Sequence, residues 1–509
     1  MSTNQISASI AQARMRKGKS LPRLLLILVE VIALAVLAVS AVSHYGMADG
    51  ARITVAYTVA YLVPRIVLTR ARGTSTAALA ILLLVAALMI YIDYLKLGFW
   101  TFFDGYSLQE PNIHGDGRIY YKWALNKYDG RVGPQNVIYP GYPMIILTLW
   151  KLFGVNVIWP QAMNLMCTLT GIVLTGLTTR RLLSHRVAAS PRVLVAGGMA
   201  LTCVLTYFLI MGTMIIKEGP VILSIAMAGY ALASMAASDD ERGHLVRDMV
   251  LMAVACAVLA IVRTTYLYFI AMGVVLLALP HWRRDWPKGL SMLAIIAVAV
   301  ILGAMMSTHS FSRHAEVAGG GWNMQRFYVE SESQQFYHDL LDYYFLRPFW
   351  YKALLLPLTM SVQFIIPFPW TYYDNSTFIN LFSRMSYGWY LVGGTALFYY
   401  PLMSWRRGKD NMGTWPWWAA GCFAAIAWVM AGSVARYVTP IQPLFVPVAM
   451  FVLCRLREGR LRKAFAIWAV CFVILVAIAL LFCLEIQQAA ISKWLHTQSL
   501  VNYLNGRAY

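Results

Sequence analysis

The sequence predicts an all-α, polytopic membrane protein, and three observations carry that expectation. Hydrophobic residues make up 60% of the chain and charged residues only 13%, a balance far from that of a soluble domain. Apolar runs of about 14–24 residues recur along its length, most of them long enough to cross about 30 Å of hydrocarbon as a helix. The basic residues, finally, are gathered into short clusters between those runs.

In order, the runs cover 21–42, 53–68, 75–97, 157–178, 193–216, 220–237, 249–262, 266–279, 290–307, 387–403, 415–431, 438–453 and 464–484, about thirteen spans. The stretch 351–370 is also apolar, but Pro357, Pro367 and Pro369 break it. It is expected to lie re-entrant or lateral rather than to cross.

Basic clusters fall at 14–23, 70–72, 180–192, 242–247, 283–288, 406–409 and 455–463. With these spans all of them share one face, which the positive-inside rule makes cytoplasmic. One mistaken span would scatter the clusters over both faces, so their agreement tests the topology. The expected organisation is a basic cytoplasmic start at 1–20, a membrane domain over 21–485 and an extracytoplasmic tail at 486–509. Within the membrane domain, a first outer loop covers 100–139, a second 308–350, and a further outer segment 351–386.

The net charge of +20 reads as topology plus affinity for anionic lipid headgroups. Spread over short loops, it makes no nucleic-acid surface. The basic start and first apolar run resemble a secretory signal, but the run is too long for one, so an uncleaved first helix is expected. All seven cysteines lie within or at the ends of apolar runs, which argues against a disulfide framework and a thiolate zinc site.

The acidic residues collect on the opposite, outer face. The first outer loop carries Asp104, Glu110, His114, Asp116, Arg118, Asp129 and Arg131, and span ends add Lys217, Glu218, Arg263 and Arg436. The second loop and the segment after it add Arg347 and Asp374. Asp116 stands out: Gly115 and Gly117 flank it, and Tyr120, Tyr121 and Trp123 follow, aromatic faces suited to stacking on a sugar ring. Asp104, closer to the preceding span, is the reserve carboxylate.

Each group also has a plainer reading. Lys217 and Glu218 are compatible with a mutually neutralising pair at a helix end, Arg263 and Arg436 with snorkelling to headgroups, and Asp104, Glu110 and Asp129 with solvated loop charges.

A polyprenyl-phosphate sugar donor explains why such a face would exist. Its tail stays in the bilayer, its phosphate needs basic partners at the interface, and a carboxylate beside it removes the proton from an attacking acceptor hydroxyl. Lys217, Arg263 and Arg436 end three separate spans and are placed to converge on the departing phosphate.

The run from Asp116-Gly-Arg-Ile-Tyr-Tyr through Pro140-Gly-Tyr-Pro143 and Leu152-Phe-Gly154 to Gln161-Ala-Met-Asn164 resembles the amino-terminal part of the GT-C glycosyltransferase superfamily. That superfamily includes protein O-mannosyltransferases and aminoarabinose transferases. Lys217-Glu218, Pro367-Phe-Pro-Trp370 and Ala435-Arg-Tyr-Val-Thr-Pro440 are similar to bacterial members of polysaccharide clusters. The resemblance implies a helical membrane core in the bacterial cytoplasmic membrane, with an essential Asp in the first outer loop, matched by Asp116. It further implies an undecaprenyl-type sugar donor and a glycan, lipid or protein acceptor. Substrate contacts fall on Arg118, Tyr120, Tyr121, Tyr139, Tyr142, Lys217, Glu218, Arg263, Arg347, Arg436 and Tyr437.

This chain departs from the family in having about three spans before the loop where members commonly have one. Gly117 also stands where the mannosyltransferase and aminoarabinose branches have Glu after the Asp, so those branches' substrates are not carried over. The short tail after 485 argues against the oligosaccharyltransferase branch.

Two rivals share the chain. A polysaccharide polymerase would grip a diphosphate with Arg263, Arg347 and Arg436 and need no carboxylate base; an O-antigen ligase is a weaker form of it. A transporter or flippase would show related halves and midplane charges, whereas Arg65 and Asp93 are the few buried charges seen. No metal is expected to be obligatory. If Mg or Mn is used, Asp104, Asp116 and Asp374 are the oxygen ligands on offer.

Overall fold

The computed structural model describes residues 3–71, 73–101, 105–113, 115–131, 141–236, 245–278, 282–306, 349–365, 387–407, 412–430 and 437–456, with scattered positions between 463 and 474. Among them all regular structure is helical and no strand forms. That follows from the composition, because in hydrocarbon a helix satisfies its own backbone hydrogen bonds. Among the described residues three helices are long and apolar enough to cross a membrane, or four if one bent pair is counted as a single span; five shorter apolar helices accompany them there. The protein is membrane-embedded.

The helices are α1 (Thr3–Arg70), α2 (Thr76–Thr101), α3 (Gly115–Tyr128), α4 (Gly141–Phe153), α5 (Ile158–Leu183), α6 (Pro191–Cys203), α7 (Thr206–Gly212) and α8 (Glu218–Ala236). There follow α9 (Leu245–Val262), α10 (Thr265–Ala278), α11 (Trp282–Met306), α12 (Phe349–Ile365), α13 (Tyr387–Gly394), α14 (Tyr400–Arg407), α15 (Trp415–Met430) and α16 (Val446–Arg455). A π-helical turn, Thr395–Tyr399, joins α13 to α14, and a 3-10 helix, Thr439–Phe445, leads into α16.

The runs 21–42 and 53–68 become two arms of α1, separated at Gly46, whose φ of 78° is open to glycine and strained for other residues. The arms are clasped by Glu30, which accepts from Tyr61 at 2.6 Å and pairs with Arg65 at 2.8 Å. Such a clasp inside an apolar hairpin removes the cost of burying either charge alone.

The run 193–216 does not form one straight helix. It breaks into α6 and α7, bent by 77°. The physical reason lies across the bundle. Gly388 of α13 presses on the break so closely that a Cβ there would sit 1.6 Å from the Val204 carbonyl oxygen. Leu205 leaves the helical region at ψ 74°. Of the apolar stretch at 351–370, the part described is the regular helix α12, which contains Pro357. The second outer loop up to residue 348, positions 366–386 and nearly all of the run 464–484 lie outside the described residues.

At the centre stands α5, packed on α1, α4, α6, α8 and α16. Within its apolar stretch 89% of residues are buried, against 11% in α1. The periphery faces lipid with Leu24, Leu28, Val36, Val39 and Leu84, as an apolar solvent requires.

The basic clusters meet at one end. Gly73 packs on Arg180 and Pro191, Arg455 donates to the Arg186 carbonyl, and Arg181, Arg247 and Lys288 surround Asp248. The opposite end, where α3, α4 and the start of α5 lie, is called here the loop end.

Candidate functional site

At the loop end the chain from Thr213 to Glu218 forms a tight turn between α7 and α8, and most of the sequence-predicted residues gather around it. Glu218, the first residue of α8, is enclosed, and its carboxylate accepts from Arg263 Nη1 at 3.2 Å. The Arg263 guanidinium lies over the Tyr437 ring at 4.0 Å and near the Tyr266 ring at 5.4 Å. Tyr266 in turn donates its hydroxyl to the Tyr437 carbonyl at 2.7 Å. Carboxylate, guanidinium and two phenol rings thus join α8, the end of α9, α10 and the 3-10 segment. A planar guanidinium can pair with a carboxylate and stack on an aromatic face at once, which lysine cannot.

Two loop helices dock on the ends of this ion pair, each through a glycine. Gly117 of α3 lies against the Ile215 carbonyl, two residues before Lys217; a Cβ there would meet that oxygen at 3.1 Å. Gly141 of α4 lies against the Ile261 carbonyl, two residues before Arg263, where a Cβ would sit 1.8 Å away. The first contact brings Asp116, half-buried in the first turn of α3, beside the turn that carries Lys217 and Glu218. Gly115, at φ 65°, starts that helix from the left-handed region.

Aromatic contacts set α3 against α4. The Tyr120 and Tyr142 rings meet edge to face at 5.4 Å, and Tyr121 meets Trp150 at 4.6 Å. The Tyr121 hydroxyl donates to the Gln109 carbonyl at 2.8 Å, and burial, then the Glu110 carboxylate, pushes its phenol well above the usual range. It therefore stays a neutral donor that ties the loop 105–113 to α3. Trp150 donates to the Asn156 carbonyl at 3.0 Å, fixing α4 to the start of α5. The buried rings of Tyr120, Tyr121 and Tyr142 form the packing between these helices, so they are not open faces for a sugar. Among the large hydrophobic side chains described on this loop, Tyr106, Ile119 and Tyr128 are exposed.

One residue at the heart of the site entered the sequence argument only as part of a resemblance. Asn164 of α5 donates to the Tyr142 hydroxyl at 2.9 Å and to the carbonyls of Ile216 at 2.8 Å and Met214. It pins α4 and the turn to the central helix. Gly219 exists for its sake, since a Cβ there would fall 2.7 Å from Asn164 Oδ1. Lys96 of α2 and Tyr266 of α10 were not foreseen. The signal available was a polar residue inside an apolar run, and it was present for each.

The plainer readings are revised accordingly. Glu218 pairs with Arg263 at 3.2 Å. Arg263 is buried in that pair and does not snorkel. Buried charges are more numerous than expected, with Glu30–Arg65, Asp93 near Lys96, Glu218–Arg263 and the Asp248 cluster. Arg118 is exposed, and Lys217 is half-buried. Asp104, Tyr139, Arg347 and Arg436 lie outside the described residues, as does Asp374. Among the described residues no group of three His, Cys, Asp or Glu is arranged to hold a metal ion.

No family model matches the chain, and no curated protein matches it. Among solved structures it is similar to the crystal structure of ArnT from Cupriavidus metallidurans bound to undecaprenyl phosphate. That likeness has 14% identity and a TM-score of 0.42, over 84% of this chain and 74% of that one. At that level it assigns neither family nor activity.

Proposed function

We propose that the chain is a membrane glycosyltransferase that moves a sugar from a polyprenyl-phosphate donor to an acceptor hydroxyl at the loop end. The observation that carries this reading is the docking of α3, with Asp116, on the turn that holds Lys217 and the Glu218–Arg263 pair. A carboxylate with partial solvent access thereby lies in the helix docked on the turn that carries Lys217, at the end of an apolar helical bundle. The positive-inside rule makes this end extracytoplasmic.

In the reaction Asp116 removes the proton from the acceptor hydroxyl as its oxygen attacks the anomeric carbon. The bond from that carbon to the donor phosphate oxygen breaks, and the lipid phosphate departs with the negative charge. Lys217 and Arg118 meet that charge, and Arg263 contributes its field from behind the pair. General-base assistance of this kind is worth about 10²–10⁴ in rate.

The engagement of Arg263 with Glu218 weighs against the polymerase reading, which needs that arginine to grip a diphosphate. The test is a transfer assay on purified protein in detergent with labelled polyprenyl-linked sugars, wild type beside Asp116→Asn. One added sugar, lost in the variant, is the expected result. A ladder of products that persists in the variant would replace this reading with the polymerase.

A further inference from the structure

The turn 213–218 is held from three directions, and one of the holders is a charged side chain that the reaction itself does not require. Lys96, near the loop end of α2, donates its ammonium to Thr213 twice, to the hydroxyl at 2.7 Å and to the carbonyl at 3.0 Å. The carbonyls of Met214 and Ile216 are taken by Asn164, and the Ile215 carbonyl lies under Gly117. The four carbonyls from Thr213 to Ile216 are therefore met by three residues, Lys96, Asn164 and Gly117, from three helices, and Lys217 and Glu218 follow directly.

The arrangement around Lys96 is unusual in one respect. Asp93, three residues earlier on the same helix, is fully buried, and neither of its carboxylate oxygens finds a hydrogen-bond donor among the described residues. Gln161 instead donates to the Asp93 backbone carbonyl at 3.1 Å. The lysine is the electrostatic neighbour of this carboxylate, yet it directs its hydrogen bonds to the neutral oxygens of Thr213. A charge-assisted donor is stronger than a neutral one, and inside a low-dielectric bundle it is also harder to replace.

We propose that Lys96 is a positioning residue for the site: it holds the turn 213–218 in the register that sets Glu218 against Arg263 and Lys217 beside Asp116. Its influence on chemistry runs through that turn and not through contact with substrate. This rests on the transferase reading for its catalytic consequence, though not for the structural one.

The test therefore has two arms on purified full-length protein in detergent, using Lys96→Met and Lys96→Arg. In the first, hydrogen–deuterium exchange is followed in peptides covering 213–219 and, as an internal control, 166–180 of α5. Lys96→Met is expected to speed exchange in the turn about tenfold or more, the scale of one lost charge-assisted bond, and to leave α5 unchanged. Lys96→Arg should restore most of the protection. In the second arm, Lys96→Met should lower kcat for transfer by about tenfold or more while the KM for the lipid donor moves less than threefold, again with recovery in the arginine variant.

Unchanged exchange in the turn would overturn the proposal. So would faster exchange with unaltered kcat, or a loss confined to KM, which would make Lys96 a donor contact instead. Should wild-type protein transfer no sugar at all, the transferase reading falls by itself, and the exchange arm still decides whether Lys96 holds the turn.

Discussion

The two ends of the bundle both bury a carboxylate with arginine and tyrosine, yet they are built for different purposes. At the basic end, Asp248 of α9 receives Arg181 through both guanidinium nitrogens at 3.2 and 3.3 Å, Lys288 at 3.2 Å and Arg247 at 3.4 Å. Arg181 and Arg247 also lie over the Tyr230 ring at 4.9 and 5.3 Å, and Lys288 reaches Ser234. One carboxylate thereby ties together α5, α8, α9 and α11, sealed from solvent. At the loop end Glu218 pairs with Arg263, and a second carboxylate, Asp116, lies half-exposed in the helix that docks on the neighbouring turn. The carboxylate at the basic end is enclosed by cations, whereas Asp116 keeps partial access to solvent.

The widest separation between the two ends is expected from paired carboxamide substitutions. Asp248→Asn leaves buried cations facing one another and should cost about 3–5 kcal/mol of stability, the usual result of breaking a buried ionic network. The expected observation is a large fall in Tm and in yield of folded protein. Asp116→Asn should leave Tm within about 1–2 °C, as half-exposed positions away from packing do, while transfer drops by about 10²–10⁴. If both variants instead lose stability together, the loop end is a second staple and not a site.

A smaller and more diagnostic effect is expected from Arg263→Lys. Lysine keeps the charge but loses the planar fork and the stacking on Tyr437. Stability should fall by about 1–2 kcal/mol, and kcat by more than KM rises. Arg263→Gln combined with Glu218→Gln provides a cycle: removing both partners should cost less than the sum of the single changes, by about 1–3 kcal/mol, if the pair acts as a unit. Additive losses would mean that the two residues serve the site separately.

How much of this was legible in the sequence follows the same division. The helical class, the spans at 75–97 and 157–178 and the gathering of basic residues came from composition and periodicity, which are local. Lys217, Glu218 and Arg263 were visible as polar residues at the ends of apolar runs, Asp116 as a glycine-flanked carboxylate in the first outer loop and Tyr437 through the resemblance, and the structure brings Glu218, Arg263 and Tyr437 into contact. Partner choice was not visible. The pairing of Glu218 with Arg263, 45 residues away, leaves no local signal in the chain. The break between α6 and α7 was also hidden, because its cause is Gly388, on a helix far along the chain. Tyr120 and Tyr121 were read, with Trp123, as sugar-stacking faces, and only three-dimensional packing reveals that their rings are spent on Tyr142 and Trp150.

The finest comparison lies within the loop end, between the two glycines that seat α3 and α4. At Gly141 an added methyl would fall 1.8 Å from the Ile261 carbonyl, so α4 must move as a body and Gly141→Ala should cost about 1–3 kcal/mol. At Gly117 the nearest atoms stand at 3.1 and 3.2 Å, a displacement of a few tenths of an ångström, and alanine gains about 1 kcal/mol in helix propensity within α3. The two terms nearly cancel, so Tm of Gly117→Ala should change little. Activity is a different matter, because the same small displacement lifts Asp116 from the turn that holds Lys217 and Glu218. Transfer is expected to fall severalfold at unchanged Tm, measured as kcat beside a thermal scan. Full activity in this variant would show that Asp116 does not need its close seat on Ile215, and the carboxylate would have to be sought elsewhere on the loop.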